Sequence, residues 1–384
     1  MKKILISLLL LTFFPIKVMA TEPNLAPKAK AAILMEYSSG EIIYEKNAHD
    51  KIAPASMTKL VTMLLILEEI EKGTLTWDEQ VKASAEASGM GGTQIFLETG
   101  ELMSVKDMFK GIAVASANDA AVALAERVAG TEQAFVAKMN ERVKAMGLKN
   151  TSFKNSHGLD EKEHYSTAYD IAMMAKELLK HEKVLEFTSI YEEYLRQNTD
   201  RKVWLVNSNK LLRLYKGVDG LKTGFTDAAG SCLTATAKRN DMRLIAVVMG
   251  ETDAAVRNEE AMKMLDYGFN QYEVQPLITR NSSLGKVEVV KGRDKYVEIM
   301  ATEDAAILNK RGEAKRTNIS YDYKISKIVA PVKKGDVVGT IFIKENGKVI
   351  KQVSITVTKD VEKANIFHLY FRYLKDIISG DLNF

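Results

Sequence analysis

The spacing of apolar and polar residues changes along the chain, and the changes mark out its elements. Residues 31–35 and 41–44 are apolar stretches flanking Ser38-Ser39-Gly40, which predicts two short strands about a turn. Pro54-Ala55-Ser56-Met57-Thr58-Lys59 leads into an apolar run over 60–67 and then Glu68-Glu69. That pattern predicts a buried helix entered just after a proline. Helical spacing covers 105–115 and 119–129, joined through Ser116-Ala117-Asn118, and recurs near 132–146 and 167–180. From Gly220 the texture is that of strands, over 221–225, 231–238 and 242–249. Turn residues at 227–230 and Asn240-Asp241 separate them, which predicts an antiparallel meander. A helix follows over 257–269. Helices first, then a gathered antiparallel sheet that the early hairpin can join, is an α+β layout rather than an alternating parallel one.

Near residue 276 the texture changes again. Short alternating segments at 287–289, 297–299, 341–343 and 353–357, with the tight-hairpin signal Glu345-Asn346-Gly347-Lys348, predict a small all-β domain over 276–360. The linker is expected around Gln275-Pro276. In the last segment, 361–384, Ile366, Phe367, Leu369, Tyr370, Phe371, Tyr373, Leu374, Ile377 and Ile378 form a wide apolar face. His368, Arg372, Lys375, Asp376 and Ser379 form a polar stripe opposite it. One reading is a helix lying in a membrane interface. The other is a terminal helix docked on the protein's own core. The aromatic content, with Phe384 beyond, favours the interface.

The first twenty residues are of another kind. Lys2-Lys3, an apolar run over 4–14, Pro15 and Val18-Met19-Ala20 have the layout of a secretory signal peptide. An uncleaved membrane anchor is the alternative, and the run is short for a membrane span. Residues 21–30 then read as a mobile mature N-terminus. Lys2, Lys3 and Lys17 carry three of the chain's four net positive charges, so the remainder is nearly neutral. No clustered basic surplus of the kind that marks a nucleic-acid binder stands out. With 384 residues the chain is long enough for two or three domains. Its single cysteine, Cys232, forms no intrachain disulfide and no multi-cysteine zinc site. It reads as a buried, inert thiol.

Three short motifs stand in order: Ser56-x-x-Lys59, Ser116-x-Asn118 and Lys222-Thr223-Gly224. A second Ser-x-x-Lys, Ser283-x-x-Lys286, lies in the small β domain with no companions and is taken as chance. A helix brings residues three apart onto one face, so Lys59 can reach the Ser56 hydroxyl. A serine becomes a nucleophile only when a base takes its proton. A lysine is such a base when desolvation or a second cation lowers its pKa; the run from Leu60 could desolvate Lys59, and Lys222 could be the second cation. Ser116 and Asn118 sit on a loop that can point into a cleft. Gly224 removes a side chain from a strand and lets a substrate backbone approach. Singly, each motif also reads as a cap serine, a loop turn or a solvent-facing lysine. The ordered set is the signature of penicillin-binding proteins and class A β-lactamases.

The chain resembles the low-molecular-mass penicillin-binding proteins, serine-type D-alanyl-D-alanine carboxypeptidases. Supporting stretches are Pro54-Ala55-Ser56-Met57-Thr58-Lys59-Leu60, Ser116-Ala117-Asn118-Asp119-Ala120, His157-Gly158-Leu159-Asp160 and Val218-Asp219-Gly220-Leu221-Lys222-Thr223-Gly224. The resemblance covers almost everything after the signal peptide over 1–20, and implies a penicillin-binding/β-lactamase-like domain over 21–275, an all-β domain over 276–360 and a membrane-anchoring helix over 361–384. It implies attack by Ser56 on a peptidoglycan pentapeptide ending in D-Ala-D-Ala, with Lys59 taking the proton and Ser116 relaying one to the leaving D-alanine. Asn118 and Lys222 order the cleft, and Lys222 with Thr223 attracts the terminal carboxylate. The N–H groups of Ser56 and Phe225, beside Gly224, form the oxyanion hole, and Arg257 stands near the carboxylate site. The phenylalanine at 225 puts the shape of the leaving-group pocket in question, and His157 is expected to be structural. The resemblance further implies β-lactams as covalent inhibitors, no cofactor or metal, no nucleic-acid partner, and attachment to the outer face of the cytoplasmic membrane.

Three other readings remain. A class A β-lactamase needs a deacylating glutamate, and Glu192-Glu193-Tyr194-Leu195-Arg196 imitates that pattern but ends on Arg196. A zinc peptidase would use His157 and His164, with Asp160, Glu161 and Glu163 nearby. A non-catalytic penicillin-binding scaffold keeps the same fold. Gly89-Met90-Gly91-Gly92 lacks the strand-to-helix context of a phosphate loop and reads as a flexible loop.

Overall fold

The computed structural model describes residues 23–379, so the segment 1–20 read as a signal peptide and Phe384 lie outside the described residues. Its first part is built on a five-stranded antiparallel sheet, in the order Ile42–Lys46, Ala31–Glu36, Met242–Glu251, Gly230–Arg239, Val218–Thr226. The predicted early hairpin and late meander therefore join, with the first strand pairing to the last.

Both faces of this sheet are covered, which is why its strands are almost continuously apolar. Ile33, Met35, Ile245 and Val247 face a helical core on one side. Leu34, Leu244, Ala246 and Val248 face the helix Ala254–Gln271 on the other. The larger core holds Lys59–Glu71, Asn118–Ala129, Glu132–Ala145 and Ala168–Leu178. Side-chain caps start several helices, as where Thr131 Oγ1 accepts from Ala134 N–H and Thr167 Oγ1 from Asp170 N–H.

The stretch predicted as one helix over 105–115 is two pieces. An α-helix, Val105–Lys110, loosens into a π-turn, Gly111–Ala115, that stops at Ser116 with φ +63°. Asn118, expected on the loop, is the first residue of the next helix. Such π segments occur often at functional sites.

The segment around Gln275-Pro276, expected as linker, is an ordered strand. The helix Ala254–Gln271 runs straight into Tyr272–Ile278, which pairs with Ala305–Lys310. Beyond it lies a six-stranded sheet, in the order Ile319–Ile325, Val337–Glu345, Lys348–Val357, Tyr296–Ala301, Ser283–Val290, Ile328–Val329. Its core includes Val297, Ile299, Ile341, Ile343, Val353 and Ile355. The hairpin at 345–348 turns through Asn346 and Gly347, both at positive φ, as a two-residue turn requires.

The last helix, Ile366–Ser379, has no buried residue. Its polar stripe is what touches the protein. Arg372 donates to the Arg293 carbonyl at 2.9 Å, and Asp376 pairs with Lys295 at 2.9 Å. Ile366, Phe367, Tyr370, Phe371, Ile377 and Ile378 are exposed on the other side. The core-docked alternative is thus not what is observed. No helix among the described residues is long and apolar enough to cross a membrane.

Candidate active site

The three motifs come together at the edge of the five-stranded sheet. Ser56 lies in a 3-10 turn, Ala55–Thr58, that feeds directly into the helix beginning at Lys59. Ala55 has φ +48°, a conformation a side-chain-bearing residue adopts at a cost and keeps where surrounding structure enforces it. Two glycines make room for this turn. A Cβ on Gly224 would stand 3.1 Å from Ser56 N and 3.2 Å from the Pro54 carbonyl oxygen. The glycine of the third motif thus lets the edge strand close on the serine turn, a role additional to the expected one of admitting substrate. Gly158, at φ +93°, closes on the turn from another side.

Lys59 is fully buried, and its amine has three neighbours. Asn118 Oδ1 and the His157 carbonyl oxygen each lie 2.6 Å from Nζ, and Ser56 Oγ lies 3.1 Å away. A neutral amine carries two N–H bonds and one lone pair. With both N–H bonds taken by carbonyl oxygens, the lone pair is left for the serine hydroxyl. Burial holds the Lys59 pKa well below the ordinary lysine value, and the nearby Lys222 charge lowers it further, while Asp119 opposes both. The expected pair of causes, desolvation and a second cation, is present.

The remaining residues are placed as follows. Ser116 Oγ is buried and has no hydrogen-bond partner among the described residues. A buried hydroxyl left unsatisfied is costly, and here it lies two residues before Asn118, which holds Lys59. Asn118 bridges Lys59 to the exposed loop at 89–92, donating from Nδ2 to the Gly91 carbonyl at 2.7 Å. Lys222 is buried on the edge strand and donates to the Thr223 carbonyl at 3.0 Å. Burial, then the Arg257 charge, brings its pKa down to about 7. Thr223 Oγ1 shares a hydrogen bond with Ser208 Oγ. Phe225, next to Gly224, is 64 % exposed. Arg257 is buried, donating to the Cys232 carbonyl at 3.2 Å and to Asn258 Oδ1 at 2.9 Å. Arg257 thus lowers the Lys222 pKa and Lys222 lowers that of Lys59, and the charges on Arg257 and Lys222 make a field suited to an anion.

Several supporting residues have no motif. The His157 carbonyl orients Lys59, while its ring accepts from Leu159 N–H at 3.2 Å and burial lowers its pKa to about 3. Glu132 accepts from both the N–H and the hydroxyl of Ser156, fixing the residue before it. Asp119 receives the N–H groups of Ile95 and Leu97 and holds the loop over the cleft. Asp160 accepts from Thr226 Oγ1 at 2.7 Å and ties the 157–160 stretch to the edge strand. Of these, only His157, Asp160 and Asp119 fall in stretches quoted from the sequence, His157-Gly158-Leu159-Asp160 and Ser116-Ala117-Asn118-Asp119-Ala120.

The rival readings lose their residues. Glu192 pairs with Arg213 at the surface, and Arg196 is spent on Glu101 and the Ile95 carbonyl. His164 has both ring nitrogens engaged, with Thr58 Oγ1 and with Lys154 N–H. Among the described residues, no three His, Cys, Asp or Glu side chains are grouped to hold a metal.

A sheet-edge cleft with a serine turn, a desolvated lysine and helices on both faces has the penicillin-binding fold. The chain belongs to the D-alanyl-D-alanine carboxypeptidase family, peptidase S11, which its residues 17–253 match. Residues 272–363 match the C-terminal domain of penicillin-binding protein 5. It is 48 % identical over 378 residues to the D-alanyl-D-alanine carboxypeptidase DacF of Bacillus subtilis (strain 168), covering 97 % of each chain. It is 36 % identical to DacC of Escherichia coli (strain K12), covering 94 % of this chain and 92 % of that one. Penicillin-binding protein 5 of Haemophilus influenzae superposes with a TM-score of 0.67 at 31 % identity, over 88 % of this chain and 98 % of that structure.

Proposed function

We propose that the protein is a serine D-alanyl-D-alanine carboxypeptidase that trims peptidoglycan stem peptides through an acyl-enzyme on Ser56. The observation that carries this is the Lys59 amine, buried, with two carbonyl acceptors at 2.6 Å and Ser56 Oγ at 3.1 Å. Ser56 attacks the carbonyl of the penultimate D-alanine, and its proton passes to Lys59 Nζ. The N–H groups of Ser56 and Phe225 take the oxyanion. Lys222, Thr223 and Arg257 receive the terminal carboxylate, and Asn118 orders the cleft. The unpartnered Ser116 hydroxyl carries a proton to the departing amine. Water then releases the shortened peptide. A β-lactam acylates the same serine and leaves slowly; a Listeria monocytogenes relative was solved in an ampicillin-bound form.

The enzyme works outside the cytoplasm after loss of residues 1–20, and its last helix lies on the outer face of the cytoplasmic membrane. The exposed apolar side of Ile366–Ser379 supports that placement. The test is time-resolved mass spectrometry with penicillin. A long-lived adduct on Ser56, absent in Ser56→Ala, together with chelator-insensitive D-alanine release from a D-Ala-D-Ala peptide, is expected. Equal labelling of Ser56→Ala would refute the assignment, and rapid loss of the adduct would mark a β-lactamase instead.

A further inference from the structure

The six-stranded sheet ends on Ile319–Ile325, which among the described residues pairs only with Val337–Glu345. Edge strands are normally blunted by proline, a bulge, a covering element or charged side chains. This one has no proline, its ladder has no register shift, and every residue after Ile319 is exposed; its charges are Lys324 and Asp322, the latter paired with Lys344 of its own chain.

The ladder decides which backbone groups face the open side. Asn346 N–H donates to the Asn318 carbonyl, and Ser326 N–H donates to the Val338 carbonyl. Inward-bonding residues alternate in an antiparallel pair. Ser320, Asp322 and Lys324 therefore bond inward, and Ile319, Tyr321, Tyr323 and Ile325 present free N–H and C=O groups outward. The same four carry the apolar side chains. Tyr321 and Tyr323 stand opposite Ile343 and Ile341, which are fully buried, yet are themselves 38 % and 54 % exposed. The apolar face of the sheet runs on past its last strand.

A second copy of this strand complements the first. Under a two-fold axis, outward residues pair with outward residues, so the axis passes through a residue. Centred on Asp322 or Lys324, it sets like charges against each other. Centred on Tyr321, it sets Asp322 against Ser320. Centred on Tyr323, it sets Asp322 against Lys324 of the second copy twice, Tyr321 against Ile325 twice, and Tyr323 against itself. Opposite charges and apolar pairs directly across a ladder stabilise it.

We propose that Ile319–Ile325 is a homodimer interface in which two copies of the chain pair antiparallel about Tyr323, joining their six-stranded sheets edge to edge. Seven residues a side is less than the roughly 800 Å² per partner of a standard interface, so the dimer is weak and reversible. Disulfide trapping suits such an association. In a directly opposite bonded pair the Cα atoms are about 5.5 Å apart, within disulfide reach. The native thiol, Cys232, is buried.

The full chain carrying Tyr323→Cys is expected to form a covalent dimer under mild oxidation. Tyr321→Cys alone is expected to stay monomeric, because its copy is four residues away, about 13 Å. Mixing Tyr321→Cys with Ile325→Cys restores cross-linking. Adding Lys324→Asp to Tyr323→Cys, which sets two acids face to face, lowers the yield several-fold. A monomeric Tyr323→Cys, or equal cross-linking of all three single-cysteine variants, overturns the proposal.

Discussion

A Cβ on Gly158 would stand 1.9 Å from the carbonyl oxygen of Ala55 and 2.9 Å from Ser56 N. The serine turn thus rests on bare backbone. Gly158 is also at φ +93°, where an L side chain is strained whatever the space. Gly158→Ala must therefore push the turn toward solvent or distort the 157–160 stretch, and either moves Ser56 Oγ away from Lys59. A displacement of about 1 Å at reacting atoms costs on the order of 10²-fold in rate. The expected result is penicillin acylation slowed by at least that factor, with the fold retained by circular dichroism. Acylation at the unaltered rate would remove Gly158 from the support of the turn.

The buried cations give the reaction a pH dependence. Lys222, with its pKa brought down to about 7, is charged below that pH and neutral above it. A substrate carboxylate is attracted only to the charged form. The second-order acylation constant reports groups on the free enzyme. It is expected to decline by up to about tenfold per pH unit above neutrality through loss of this charge. A guanidinium stays charged throughout. Lys222→Arg is therefore expected to react more slowly but to lose the alkaline decline. A decline that persists in that variant would assign it to another group.

A different pair sets the stability profile. Glu251 is buried and, among the described residues, both its side-chain oxygens are unpartnered except toward Glu260, which accepts from Lys28 and Ala29 N–H. Burial, then the Glu260 carboxyl, raises the Glu251 pKa to about 7. A carboxyl whose folded pKa exceeds its unfolded value holds its proton more tightly in the folded state. Its stabilising contribution is complete below the unfolded value and is lost as pH rises through the folded one. Glu251→Gln keeps the shape without the titration. The difference in melting temperature, variant minus parent, should increase between about pH 5 and pH 8. A difference that stays flat across this range would rule out Glu251 as the titrating group.

How far these features can be read from residues alone depends on whether a side chain or the backbone carries them. The helices and the meander announce themselves because both sheet faces are buried, so Ile33 and Leu34 are both apolar though they point to opposite cores. Ser56 and Lys59 are legible because three residues is the spacing of a helical face. The His157 carbonyl is not, since every residue has a carbonyl and only the fold aims this one at Lys59. Pro276 reads as a break, yet it sits in a two-stranded ladder that tolerates its missing N–H. The strand Ile319–Ile325 escaped notice although its apolar residues alternate, because charges and tyrosines interrupt the period.

The terminal helix carries the last prediction. Its polar stripe is held by the Arg372 contacts to the Gly292 and Arg293 carbonyls and by the Asp376–Lys295 pair, so the apolar side is turned outward as a fixed face. A rigid apolar face enters a lipid interface with little ordering cost, and its binding scales with the apolar area it buries. Phe367 and Phe371 lie four apart on that face and are exposed at 72 % and 65 %. Phe367→Glu combined with Phe371→Glu removes two aromatic rings from the interface and places two charges there. Co-sedimentation with vesicles of mixed zwitterionic and anionic lipid is expected to fall by more than about tenfold, while penicillin labelling is unchanged. Truncation at Lys359 should abolish it. A truncated chain that sediments as well as the full one would place the attachment elsewhere on the protein.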